Sequence, residues 1–166
     1  MPTTYDDCTQ DVLDIARDIM NRHYRDLLQA GVTVRYLFAR NPDGPAIKVH
    51  GVPAAASVKV NGLQHRKEGL TDCTVKICAE WWEQHDKLQC EALIDHELAH
   101  ILVAFDENGA IEADDVGRPK IRLKPHDFEI GGFFDIVQRH GSNAVEAQAV
   151  VDTAAKFREM EPSNAA

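Results

Sequence analysis

A chain of 166 residues with 44% hydrophobic and 27% charged side chains is long enough to bury a core without staples, which excludes a disordered or disulfide-dependent class. A net charge of −9 argues against a broad nucleic-acid-binding surface. The longest uninterrupted apolar run, residues 101–105, is too short to span a bilayer, and residues 1–7 hold no basic segment leading into an apolar one, so a cytoplasmic setting is expected.

Residues 11–29 are predicted to form an amphipathic helix with Val12, Ile15, Ile19, Leu27 and Leu28 as its apolar positions, ended by Gly31. Strands are predicted over 32–39, 46–50 and 57–61, with turn chemistry at 41–45 between the first two, and 63–71 reads as a loop. Residues 72–79 form a fourth strand in which Val75 and Ile77 share a face opposite Thr74, Lys76 and Cys78. A helix then begins between Glu80 and Leu88, with Trp81 and Trp82 anchoring its start, and runs without Gly or Pro to Phe105. Beyond an acidic stretch, 106–115, Ile121 and Leu123 alternate with Lys120, Arg122 and Lys124, as in a short strand with one basic face. Pro125 opens a helix over 126–140 that Gly141 closes; Ser142 caps a last helix to about Arg158, and 161–166 reads as a disordered tail. Helix, strands, helices is the order of an α+β fold, expected as a single domain over 1–160. Cys8, Cys73, Cys78 and Cys90 show no Cys-x-x-Cys pairing and read as reduced thiols.

The chemistry concentrates at His96-Glu97-Leu98-Ala99-His100. Residues i and i+4 lie one turn apart on a helix, so both imidazoles can reach one metal ion while Glu97 sits beside them as a candidate general base. Leu98, Ile101, Leu102 and Phe105 recur at helical spacing and define the opposing, packed stripe. A catalytic zinc needs three protein ligands and an open position. His126, at a strand–helix boundary just past Pro125, is the expected third ligand; Glu129, one turn on, and His140 are the alternatives. Two imidazoles make zinc the first choice of ion. His23, His50, His65 and His85 read as surface or turn histidines.

Asp95-His96-Glu97-Leu98-Ala99-His100, followed by residues 118–129 with Pro125-His126-Asp127-Phe128-Glu129, resembles the phage metallopeptidase family. The resemblance covers most of the chain and takes in Tyr36-Leu37-Phe38, the strand at 72–79 and Trp81-Trp82. More distantly, the second histidine block is similar to SprT-like zinc proteases, in which a histidine beginning a later helix completes the site. Paired glycines, Gly131 and Gly132, depart from the pattern by interrupting the second helix. The resemblance implies a zincin-like domain with an N-terminal helix, a small, mostly antiparallel sheet, the motif helix and C-terminal helices. It also implies hydrolysis of a protein or peptide, with zinc on His96, His100 and His126 activating a water and Glu97 as general base. From a different class comes the alternative of a non-catalytic, zinc-stabilised phage protein that binds and modulates a host partner; an occupied fourth metal position would mark it. Three further readings stay open. The strand at 72–79 either pairs with extended substrate or is internal. Lys120, Arg122 and Lys124 either make weak contact with an acidic or nucleic-acid partner or protect a strand edge. Asp95 faces the packed side, where Arg122 is a conceivable partner.

Overall fold

The computed structural model describes residues 2–126, 134–143 and 145–160. Two compact units divide the chain, Met1–Pro125 and His126–Ala166. In the first, a four-stranded sheet is built from β1 (Thr4–Asp7), β2 (Val34–Arg40), β5 (Ala56–Val60) and β6 (Cys73–Cys78) in the order β1-β2-β6-β5. The outer pairings are antiparallel and the central one, β2 with β6, is parallel. The sheet is therefore mostly antiparallel, with a parallel centre. β6 reads as a central strand should, with Cys73, Val75 and Ile77 fully buried on one face. β1, which carries no apolar alternation, went unpredicted; pairing with β2 creates it.

Both neighbours of β6 are strands, so this segment is internal and cannot add a substrate strand. That resolves the question left open by the sequence. The hairpin of β3 (Lys48–Val49) and β4 (Val52–Pro53) leaves only two residues of the strand predicted over 46–50, and turns through His50 and Gly51, both at positive φ.

Helices cover one face of the sheet. α1 (Gln10–His23) buries Val12, Ala16, Ile19 and Met20, spaced as one helical stripe. The single helix expected over 11–29 breaks at Tyr24, whose φ of −125° and ψ of 53° are not helical, and α2 (Arg25–Gln29) follows with Leu27 fully buried. Gly31, at φ 68°, ends it as predicted. Residues read as a loop contain α3 (Leu63–Lys67). Between β6 and the motif lies α4 (Ala79–Gln84), where Trp82 packs edge-on against Phe38 with ring centroids 6.0 Å apart and Trp81 stacks on His85. The motif helix itself, α5 (Lys87–Ala99), starts at a capping box: Asp86 accepts from the Gln89 amide and Gln89 accepts from that of Asp86.

α5 ends earlier than its composition suggests. It stops at Ala99, and Ile101–Val103 becomes β7, paired antiparallel with β8 (Ile121–Leu123). Helix propensity through residue 105 loses to strand pairing, a tertiary contact that local sequence does not encode. The packed stripe of the helix is accordingly Cys90, Ile94 and Leu98, not the run from Leu98 to Phe105; Leu102 and Phe105 are exposed.

The acidic stretch between β7 and β8 folds as two matching turns eight residues apart. Asp106 accepts from the amides of Asn108 and Ala110, and Asp114 from those of Val116 and Arg118. Gly109 and Gly117 sit at the same place in each turn with φ of 77° and 76°. Ala104, Glu112 and Lys120 join the three passes through main-chain hydrogen bonds.

One buried carboxylate fastens this loop to the sheet. Asp72 has no solvent exposure and accepts from the Thr33 amide and hydroxyl, from Arg66 Nε at 3.0 Å and from Arg118 Nε at 3.0 Å. Arg66, 5% exposed, also pairs with Asp114 at 2.6 Å and donates to the Pro119 carbonyl. Arg118 reaches on to the Gly31 carbonyl at 2.9 Å. Burial by itself would push the Asp72 carboxyl up, but the hydrogen bonds from Arg118, Thr33 and Arg66 outweigh it and hold the group down at about 2.

In the second unit, α6 (Phe134–His140) gives way at Gly141, φ 55°, to a 3₁₀ turn Gly141–Asn143 and then α7 (Val145–Met160). The predicted helix over 126–140 is thus described only from Phe134, and a 3₁₀ turn holds Ser142 in place of a helix cap. Glu129, the Gly131–Gly132 pair and the tail 161–166 lie outside the described residues.

Because its carboxyl is held low, Asp72 contributes stability that is fully present above about pH 4 and is lost as pH falls towards 2, worth about 2 kcal/mol. Asp72→Asn should cost about 3 kcal/mol at neutral pH, since Arg66 stays buried without its anion. Urea midpoints measured from pH 6 to pH 2 should show the variant with the smaller acid-dependent loss.

Candidate metal centre

Three elements of the chain supply the site: the last turn of α5, the residue that caps it, and the segment leaving β8. His96 lies in the last turn of α5 and is exposed; His100, half-buried, is its C-cap with helical φ and ψ of −70° and −22°. The helix therefore persists just long enough for the four-residue spacing to keep both rings on one side. Their centroids stand 5.1 Å apart at 83°, edge to face. His126 follows Pro125 directly. His96, His100 and His126 each present one nitrogen, and these three atoms lie within 4.8 Å of one another. Among the described residues, no other group of three or more His, Cys, Asp or Glu side chains shows such convergence. Nothing is described of Glu129, and His140 is absent from the cluster.

The orientation of His100 is set by the main chain of the strand that arrives beside it. The His100 Nδ1 lies 2.6 Å from the Lys124 carbonyl, and the Lys124 amide donates to the His100 carbonyl at 2.7 Å. A carbonyl at Nδ1 fixes that nitrogen as the protonated one and leaves Nε2 as the lone-pair donor, the usual arrangement behind a metal-ligating histidine. Lys124 precedes a proline, which restricts it to extended conformations and so holds the carbonyl in place. Reading side chains alone could not find this partner, because it is a backbone atom.

Glu97 has a different environment from its neighbours. It is 4% exposed, and burial pushes its carboxyl up to about 7. A carboxylate short of water is a stronger base than one at the surface, which suits proton abstraction. All four cysteines are free, and burial raises the Cys8 and Cys73 thiols to about 12, which makes these two poor nucleophiles.

Asp95, next to the first histidine, pairs with Tyr24 and not with Arg122. The Tyr24 hydroxyl lies 2.5 Å from Asp95 Oδ1 and 3.0 Å from the Asp95 carbonyl. Burial, reinforced by that hydrogen bond, raises the Tyr24 hydroxyl well above its usual range. The break between α1 and α2 places this side chain, joining the N-terminal helices to the turn that bears His96. Periodicity could not foretell it, since Tyr24 falls inside an apparently continuous helix.

A histidine pair on a helix, an adjoining buried glutamate and a third converging imidazole form a group that could hold a metal ion. The family model described as "Putative phage metallopeptidase" matches residues 5–156, and the chain belongs to that family. No curated protein and no solved structure matches it. None of these comparisons shows the expected likeness to SprT-like proteases. No helix among the described residues is long and apolar enough to cross a membrane.

Tyr24→Phe removes the hydroxyl that bridges to α5 and leaves the Asp95 carboxylate short of a donor. Denaturant unfolding should report a loss of about 1–2 kcal/mol.

Proposed function

We propose that this chain is a zinc-dependent peptidase of zincin-like design, with His96, His100 and His126 as metal ligands and Glu97 as general base. The observation that carries the reading is the convergence of three imidazole nitrogens within 4.8 Å beside a buried carboxyl. The donor set fits the ion. Three converging imidazole nitrogens would suit a zinc ion, for which imidazole is a common ligand, and His96, His100 and His126 would hold it. When bound, zinc supplies Lewis acidity toward a scissile carbonyl and acidifies a water molecule.

The remaining work belongs to the protein. Glu97 accepts a proton from the attacking water and returns it to the leaving amine. The Lys124 carbonyl keeps the His100 ring in its ligating orientation. β5, which lies against α5 and β8, is hydrogen-bonded only to β6 among the described strands, so its other side is the candidate edge for an extended peptide. That role passes to β5 from β6. A cytoplasmic setting accords with four free thiols.

Protein purified without chelator or metal-affinity tag should contain one zinc per chain by mass spectrometry. His126→Ala should lose it, and Glu97→Gln should retain it while peptide turnover falls by roughly a thousandfold. Zinc lost on Glu129→Ala but kept in His126→Ala would move the third ligand, and absence of zinc from the wild type after zinc is supplied would end the proposal.

A further inference from the structure

β7 and β8 carry the strip of surface that leads away from the histidines. Their register sets Leu102 opposite Arg122, and residues opposite each other in an antiparallel pair share a face. The other face is the buried one: Ile101 and Val103 are 2% and 8% exposed. Leu102, at 42%, and the exposed Arg122 thus form an open apolar–cationic pair. Arg122 stands two residues before Lys124, whose carbonyl holds His100, and Leu102 stands two residues after His100 itself. Two strand residues span about 7 Å, and an extended peptide advances about 3.3 Å per residue. A cation so placed meets a side chain one or two positions from a bond held at the metal.

Among the described residues of the first unit Arg122 and Arg25 make no hydrogen bond or ion pair, whereas Arg17, Arg22, Arg35, Arg40, Arg66 and Arg118 are tied to an acid, and of the two unmatched arginines Arg122 is the one on the strand that leads to the histidines. Lys120, on the same face of β8, is matched by Glu112 at 2.7 Å. An unmatched cation in a chain of net charge −9 is a place where an outside carboxylate gains more than it would elsewhere on the surface. The strip suits one or two carboxylates and not a polyanion. The turns that join β7 to β8 expose Asp106, Glu107 and Asp115, which repel a phosphate backbone, and Leu102 beside the guanidinium favours a peptide side chain over a ribose-phosphate chain.

We propose that Arg122 is a specificity-determining residue of this centre, and that the substrates are polypeptides with an aspartate or glutamate within two positions of the scissile bond. The inference rests on the peptidase reading above. A cation that merely protects a strand edge from pairing would leave subsite preference untouched.

The test is cleavage of a proteome-derived peptide library by zinc-loaded wild type, Arg122→Gln and Arg122→Glu, with cut sites read by mass spectrometry and zinc content measured on each protein. The expected result is enrichment of acidic residues next to the cut bond in the wild type. That preference should fall roughly tenfold in Arg122→Gln and turn towards Lys and Arg in Arg122→Glu, with one zinc per chain throughout. Binding gives a second readout: zinc-loaded Glu97→Gln should hold a fluorescein-labelled peptide from the selected set about tenfold more tightly than its Asp→Asn, Glu→Gln counterpart, and adding Arg122→Glu should erase the difference. No acidic preference in the wild type, or the same preference in Arg122→Glu, overturns the proposal. A zinc-loaded wild type that cuts nothing overturns the peptidase reading itself, and this proposal with it. Salt-sensitive binding of a 20-nucleotide single strand that Arg122→Glu abolishes would assign the strip to nucleic acid instead.

Discussion

The buried Asp72 carboxylate is the fixed point of the first unit. It stands at the start of the central strand, immediately before Cys73, and takes its hydrogen bonds from three separate stretches of chain: Thr33 before β2, Arg66 on α3 and Arg118 in the loop before β8. A carboxylate without solvent is tolerated only when its lone pairs are filled, and here they are filled by groups that would otherwise have no reason to meet. The loop of residues 106–119 has few buried apolar side chains to hold it down. Its attachment is ionic, through Arg118 and through Arg66 to Asp114.

What that attachment secures is the path of β8. Pairing with β8 turns Ile101–Val103 into a strand, and the strand ends α5 at Ala99. The same pairing brings the Lys124 amide and carbonyl to His100 and carries the chain through Pro125 to His126. The histidine cluster thus depends on an ion-pair network that contains none of its three side chains. Tyr24 adds a second support from the N-terminal helices, through the residue before His96. Precision at a metal site comes from such supporting groups as much as from the ligands.

The strand register on β7 and β8 has a consequence for recognition as well. It separates Ile101 and Val103, which belong to the core, from Leu102 and Arg122, which face outward. Had α5 continued to Phe105, Leu102 would have lain on a helix face and no strip would lead from His100. Local propensity and tertiary pairing compete at residues 100–103, and the outcome decides what the surface beside the histidines looks like.

Much of this was legible in the residues themselves. The histidine spacing, the glutamate between them and the position of His126 past Pro125 follow from helical periodicity and ligand chemistry, both local properties. Strands expected over 32–39, 57–61 and 72–79, found within one or two residues of those bounds, the glycine ends at Gly31 and Gly141, and the α+β class came from alternation and turn chemistry, again within short windows. Contacts between distant segments decided the rest. β1 exists because β2 offers an edge; the break at Tyr24 accompanies a hydroxyl bond to Asp95, 71 residues away; and β6 is internal because β5 takes its other side. The sequence determined which side chains are candidates for the proposed chemistry, since that depends on residue type and spacing. Only the tertiary structure decided how they are held, because Asp72, the Lys124 carbonyl and the strand that ends α5 act across the fold and leave no periodic trace.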